Sequence, residues 1–122
     1  MTKNVTLTAD MRTVLDVTID ICNGMEADGK AGVTSRTVRA FCRRTLAAGY
    51  IPADRIDAMA FISNAVITQA LLWSVTETQT MSPQDRQHRA KFKQLQDRVY
   101  GCCGTCVRVH EAVKAMLKGG QS

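Results

Sequence analysis

The stretch from Ala58 to Thr76 reads AMAFISNAVITQALLWSVT and contains no charged residue. At 100° per residue, the apolar side chains of the surrounding segment occupy nearly every side of a helix. They are Ile56, Met59, Phe61, Ile62, Val66, Ile67, Ala70, Leu71, Leu72 and Val75. A helix that is apolar all round is surrounded by other helices or buried in an oligomer. This stretch therefore predicts a central helix and, since three neighbours in a small chain cover too little of it, a homodimer.

A membrane span is the alternative interpretation of this 19-residue run, which approaches the length that a bilayer requires. Four polar residues interrupt its middle, namely Ser63, Asn64, Thr68 and Gln69. Aromatic residues do not flank both of its ends, as they do in many membrane spans. The sequence therefore predicts a buried helix of a protein that does not associate with membranes.

Start and stop signals place three further helices around it. Thr8 is suited to cap a first helix, while Gly49 and Pro52 end a second one. Ser82 followed by Pro83 is a strong start signal for the last helix. The predicted helices cover about residues 9–26, 34–48, 53–78 and 83–118. Because one apolar face continues past Gly101 and Gly104, the last helix is predicted to be long or kinked there.

The predicted fold class is all-α, a compact bundle of about four helices. The only β-like stretch, Asn4 to Leu7, is too short to found a sheet, and no strand pair is expected. A chain of 122 residues and 13.4 kDa corresponds to one domain, predicted over residues 1–122. Residues 1–7 and 119–122 are expected to be flexible ends.

Charge is unevenly distributed along this chain, whose net charge is +5. Residues 33–55 hold five basic and one acidic side chain, and residues 83–122 hold eight and three. Between them, residues 56–82 hold no basic side chain. Such basic segments attract phosphate or acidic proteins. Aromatic residues amount to only 5%, which disfavours stacking on single-stranded nucleic acid.

The five cysteines are Cys22, Cys42, Cys102, Cys103 and Cys106. Their odd number and the lack of a recognisable export signal predict reduced thiols in the cytoplasm. Cys103 and Cys106 form a C-x-x-C pair, but the segment before them is predicted to be helical. A thioredoxin-like redox site needs a strand there, so redox catalysis is not expected.

A zinc site is one interpretation of Cys103, Cys106 and His110, whose i, i+3, i+7 spacing places them on one helical face. A fourth ligand would come from Cys22, Cys42, Cys102 or His88. The other interpretation is that these cysteines are small core residues, a common environment for free thiols. No serine lies in a nucleophile motif and no glycine loop resembles a phosphate cradle, so the chain is not expected to be an enzyme.

The second predicted helix has a basic side. Val38, Phe41, Cys42 and Thr45 cluster on one side at helical spacing, and Arg36, Arg39 and Arg43 cluster opposite. Arg44 adds a fourth cation to this helix. An ordinary solvated helix face also produces this pattern.

Residues 33–51 read VTSRTVRAFCRRTLAAGYI, in which Ser35, Arg36, Thr37, Val38 and Arg39 are followed by Gly49 and Ile51. This segment resembles the recognition helix of winged helix-turn-helix regulators of the GntR type. The resemblance implies that Thr34, Ser35, Arg36 and Thr37 meet double-stranded DNA at the helix N-terminus. It also implies that Arg39 and Arg43 reach phosphates or guanine edges.

A second basic surface is predicted on the last helix, where Arg86, Arg89 and Lys93 lie opposite Phe92 and Leu95. We therefore expect a small non-enzymatic DNA-binding regulator in which these residues assist Arg36, Arg39, Arg43 and Arg44. A protein-binding inhibitor or adaptor, carried by a phage or plasmid and acting on an acidic host protein, is the alternative. A zinc-stabilised helical domain is a further alternative.

Overall fold

The predicted all-α class is confirmed in a computed structural model of the chain, which describes residues 3–27, 29, 32–77, 87 and 93–119. The described residues form five α-helices, two short strands and one turn of 3-10 helix. The α-helices are α1 (Ala9–Ala27), α2 (Val33–Ala48), α3 (Asp57–Glu77), α4 (Lys93–Gly101) and α5 (Cys103–Gly119). The strands are β1 (Asn4–Thr6) and β2 (Tyr50–Pro52), and the 3-10 turn is Ala53–Arg55.

The expectation that no strands pair is wrong. β1 and β2 are antiparallel, and Val5 lies opposite Ile51, which is fully buried. Beyond the ladder, the Leu7 amide donates to the Gly49 carbonyl at 3.1 Å, and Leu7 itself is buried. Residues 4–7 are therefore held in the fold and are not the flexible end expected from the sequence.

The caps predicted for α1 and α2 are present. The Thr8 hydroxyl oxygen accepts a hydrogen bond from the Met11 amide at 3.1 Å, as an N-cap does. At the end of α2, Gly49 has a φ of 81° and donates its amide to the Thr45 carbonyl. Glycine suits this left-handed conformation because it has no Cβ to clash with the backbone. The chain thereby leaves α2 in the direction that brings β2 alongside β1.

Substitution of Gly49 by alanine is expected to lower the free energy of unfolding by about 1–2 kcal/mol, the cost of an L-residue in the left-handed region. Space is not the cause, since a Cβ at Gly49 meets its nearest atom, on Arg12, at 3.5 Å. Gly101→Ala is the control, because Gly101 ends α4 with nothing within 4 Å of its Cβ position. Urea unfolding of both variants checks this, and an equal effect at the two sites would contradict it.

α3 begins at Asp57 and not near residue 53, because Ala53–Arg55 form a separate 3-10 turn after Pro52. Met59, Ile62, Val66 and Ala70 are buried on one side of α3. Phe61, Leu71 and Leu72 elsewhere on α3 are exposed, so the described residues of one copy do not enclose this helix all round. No helix within the described residues is both long and apolar enough to cross a membrane.

The last helix is interrupted at Cys102, next to Gly101, where the sequence predicted a long or kinked helix. Cys102 separates α4 from α5. Its amide donates a hydrogen bond to the carbonyl of Arg98 and another to that of Val99, each at 3.2 Å. The buried side nevertheless continues across the junction from Val99 to Cys106 and Val113. The predicted start of this helix at Ser82 and Pro83 lies outside the described residues.

One hydrophobic core joins these helices. α1 contacts α2, α3, α4 and α5, while α3 packs most extensively against α5. The fully buried side chains Val14, Leu15 and Val17 of α1 belong to the same cluster as Met59 of α3 and Val113 of α5. α2 packs on α1 and β2, so the other side of α2 forms part of the surface.

Candidate nucleic-acid interface

The burial of the α2 side chains follows the two-sided pattern predicted from the sequence, with one apolar side and one basic side. Cys42 and Thr45 are buried, and Val38, Phe41 and Leu46 are half-buried beside them. On the other side, Arg36, Arg43 and Arg44 are exposed. These three residues are called the arginine face of α2. Within the described part of the chain, their side chains make no hydrogen bond or ion pair.

Arg39 differs from the other arginines of α2. Its guanidinium pairs with the Glu26 carboxylate and donates to Asn23 Oδ1 at 2.9 Å, both on α1. Only 15% of its side chain is exposed. Arg39 therefore ties α2 to α1 and is poorly placed to contact a ligand.

The arginine face also affects the pKa of the Glu26 carboxylate. The hydrogen bond and charge of Arg39 lower the pKa of Glu26, and the charges of Arg36 and Arg43 lower it further. Glu26 thus remains ionised at neutral pH and keeps its contact with Arg39. Because Glu26 is already paired with Arg39, Arg36 and Arg43 keep their exposed guanidinium groups for other partners.

The N-terminal turn of α2 holds the remaining predicted contact residues. Ser35 is half-buried, whereas Thr37 is exposed and donates its hydroxyl to the Val33 carbonyl at 2.9 Å. Gly32 is the N-cap residue, and no described side chain makes a capping hydrogen bond at this end. Thr37 thus lies beside Arg36 on the surface, and Ser35 faces partly inward.

The second basic surface is described only in part, because Arg86 and Arg89 lie outside the described residues. Lys93 is exposed at the start of α4, and Arg98 pairs with Asp20 of α1. Asp20 and Glu26 are six residues apart, which separates them by about 120° around α1. α2 and α4 therefore attach to different sides of α1, and Lys93 is not part of the arginine face.

The predicted zinc ligands have other neighbours. Cys103 Sγ lies 3.4 Å from the Val99 carbonyl oxygen, and Cys106 Sγ lies 3.9 Å from Cys102 Sγ. His110 Nδ1 lies 3.3 Å from the Ala60 carbonyl oxygen. No group of three His, Cys, Asp or Glu side chains within the described ranges is arranged to hold a metal ion, and His88 lies outside those ranges.

The pKa values of two cysteine thiols are strongly raised. Burial raises the pKa of Cys42 to about 12, with a further contribution from Cys22. Burial likewise raises the pKa of Cys106 to about 12, with contributions from Cys102 and Cys103. Both thiols are fully buried, and they stay protonated at neutral pH. Both side chains belong to the hydrophobic core.

Sequence reasoning missed Glu26 and Asn23 as partners of Arg39. Thirteen residues separate Glu26 from Arg39, and the contact depends on how α1 packs against α2. The sequence signal that was present is an acidic residue in the last turn of one helix and a basic side on the next.

Comparison of the chain with protein-family models, curated proteins and solved structures finds no match.

Proposed function

We propose that this chain is a small, non-enzymatic, cytoplasmic regulator that binds double-stranded DNA through the arginine face of α2. The observation that carries this proposal is the exposure of Arg36, Arg43 and Arg44 on one helix, with no acidic partner among the described residues. Exposed guanidinium groups bind phosphate oxygens and release condensed counterions from the duplex.

The shape of α2 supports close approach to a phosphate backbone. Arg36 and Arg43 lie seven residues apart, on the same side of the helix and separated by about 10 Å along its axis. Ala40 and Ala47, also on this side, have small side chains. A helix with short side chains beside its arginines can approach a duplex without steric obstruction, because the arginines extend beyond them.

Arg39 has a different role in the proposal from the one that the resemblance to GntR-type regulators implies. It positions α2 through Glu26 and Asn23 and does not touch DNA.

The five described cysteines are all free thiols, which fits a reducing compartment.

The test compares Arg36→Ala/Arg43→Ala with the unaltered chain. Binding to a labelled random-sequence duplex is measured by fluorescence anisotropy at several salt concentrations. The unaltered chain is expected to bind at low salt and to weaken steeply as salt rises. The slope of log K against log salt is negative. Because two phosphate contacts are lost, it should become shallower by about 2 in the variant.

Lys114→Ala/Lys118→Ala is the matched control, because it removes the same number of charges from exposed positions of α5. α5 packs on α1 and α3, away from the arginine face. This control should keep nearly the full salt slope. Absence of binding by the unaltered chain at low salt would disprove the proposal, and an equal loss in both variants would assign binding to net charge alone.

A further inference from the structure

The exposed side of α3 carries large apolar side chains that the described residues of one copy leave uncovered. Phe61 is 65% exposed, Leu71 62% and Leu72 57%. Phe61, Ala65, Thr68 and Leu72 fall within about 60° around the helix axis, and Leu71 borders them. These five residues are called the apolar face of α3. Contiguous exposed apolar side chains of this kind mark interaction surfaces.

The charge of this face restricts what can cover it. From Ala58 to Thr76 the chain has no ionisable side chain, although its net charge is +5. An acidic partner, which the basic segments would attract, finds no cation here with which to pair. The matching surface must itself be uncharged and apolar, and a second copy of this face has both properties without like-charge repulsion.

The order of side-chain sizes along the face is the same in both directions. Large Phe61 and Leu72 stand at the ends, and small Ala65 and Thr68 lie between them, at spacings of four, three and four residues. The Thr68 hydroxyl donates to the Asn64 carbonyl at 2.9 Å, so its polar atom is already bonded within α3. Two-fold symmetric contacts require such a self-complementary surface.

We infer that the apolar face of α3 is the contact between two copies of the chain, which pair antiparallel about a two-fold axis. This arrangement sets Phe61 of each copy against Leu72 of the other, and Ala65 against Thr68. The small central residues let the two helices approach closely, while the large residues fill the ends. α2 packs on α1 and β2, so both arginine faces stay exposed in the dimer.

The size of the face determines how tightly the copies bind. From Phe61 to Leu72 the helix is about 17 Å long and about 10 Å wide. This area is smaller than the roughly 800 Å² per partner of a standard interface. A contact of this size is expected to be weak, so the dimer should form only as the concentration of the chain rises. The inference does not rest on DNA binding, and the variants that test the two proposals differ.

Sedimentation velocity from about 1 to 200 μM tests the inference. The mass of the unaltered chain should rise from 13.4 kDa towards twice that value as concentration increases. Ala65→Lys sets two ammonium groups near the two-fold axis and should weaken the dimer at least tenfold. Ala115→Lys makes the same change at an exposed alanine of α5 and should leave the mass curve unchanged. Circular dichroism verifies that both variants are folded.

Mixing two variants tests the antiparallel register. Ala65→Lys and Thr68→Glu should each be monomeric alone, but their mixture should dimerise, because the register sets the new charges of opposite sign against each other. A mass of 13.4 kDa at every concentration would overturn the inference. So would a dimer that Ala65→Lys leaves intact, since that result would place the contact elsewhere.

Discussion

Replacing Leu15 with alanine is expected to lower the free energy of unfolding by about 2–5 kcal/mol. Leu15 lies on α1, the helix that contacts α2, α3, α4 and α5, and its side chain is fully buried. Truncation removes buried apolar atoms and leaves a cavity where several helices meet. A loss of this size is a large part of the roughly 5–15 kcal/mol that stabilises a domain.

Urea unfolding followed by circular dichroism measures this loss as a lower midpoint with an unchanged slope. Leu71→Ala is the matched control, since it makes the same substitution at a site that is 62% exposed on α3. Its effect should stay within about 0.5 kcal/mol at low micromolar concentration, where the proposed dimer is dissociated. Similar losses for the two variants would mean that Leu15 is not in a close-packed core.

The helices of this fold could be predicted because their signals are local. Thr8 caps α1 and Gly49 ends α2 within one turn of the residues they serve. The pairing of β1 with β2 has no such signal. Asn4–Thr6 and Tyr50–Pro52 are three residues each and more than forty residues apart. Their pairing depends on α1 and α2 folding back on each other, which a local pattern does not encode.

The apolar pattern of α3 predicted more burial than the described residues of one copy provide. Met59 and Val66 are buried, but Phe61 and Leu71 are exposed, because only one side of α3 faces α1, α4 and α5. Hydrophobicity shows that a side chain favours burial and does not identify the surface that buries it. The exposed side became identifiable only from the packing.

The candidate site was predictable to the same extent. Helical spacing placed Arg36 and Arg43 on the polar side of α2, where they lie exposed. Spacing also grouped Arg39 with them, but its neighbour Glu26 belongs to another helix. Likewise, His110 shares a face with Cys106 along the sequence, yet its ring lies against the Ala60 carbonyl of α3. Contacts between helices thus decide the surroundings of Arg39 and His110, and spacing along a single helix does not reveal them.

The buried thiols predict a loss of stability at alkaline pH. Burial raises the pKa of Cys42 and of Cys106 from the ordinary 9.0 to about 12. Above pH 9 the unfolded chain therefore releases these protons while the folded chain keeps them. Each thiol should lower the free energy of unfolding by up to about 1.4 kcal/mol per pH unit between pH 9 and 12. Below pH 9 this contribution is fully retained.

Urea unfolding at several pH values from 8 to 10.5 separates the thiols from other alkaline effects. Cys106→Ala removes one of the thiols whose pKa burial raises, so its stability should fall less steeply above pH 9 than that of the unaltered chain. Val109→Ala is the control, since Val109 is buried on the same helix but does not titrate. It should lower stability equally at every pH. If Cys106→Ala and Val109→Ala gave parallel pH curves, Cys106 would titrate alike in the folded and unfolded chains, and its burial would not oppose ionisation.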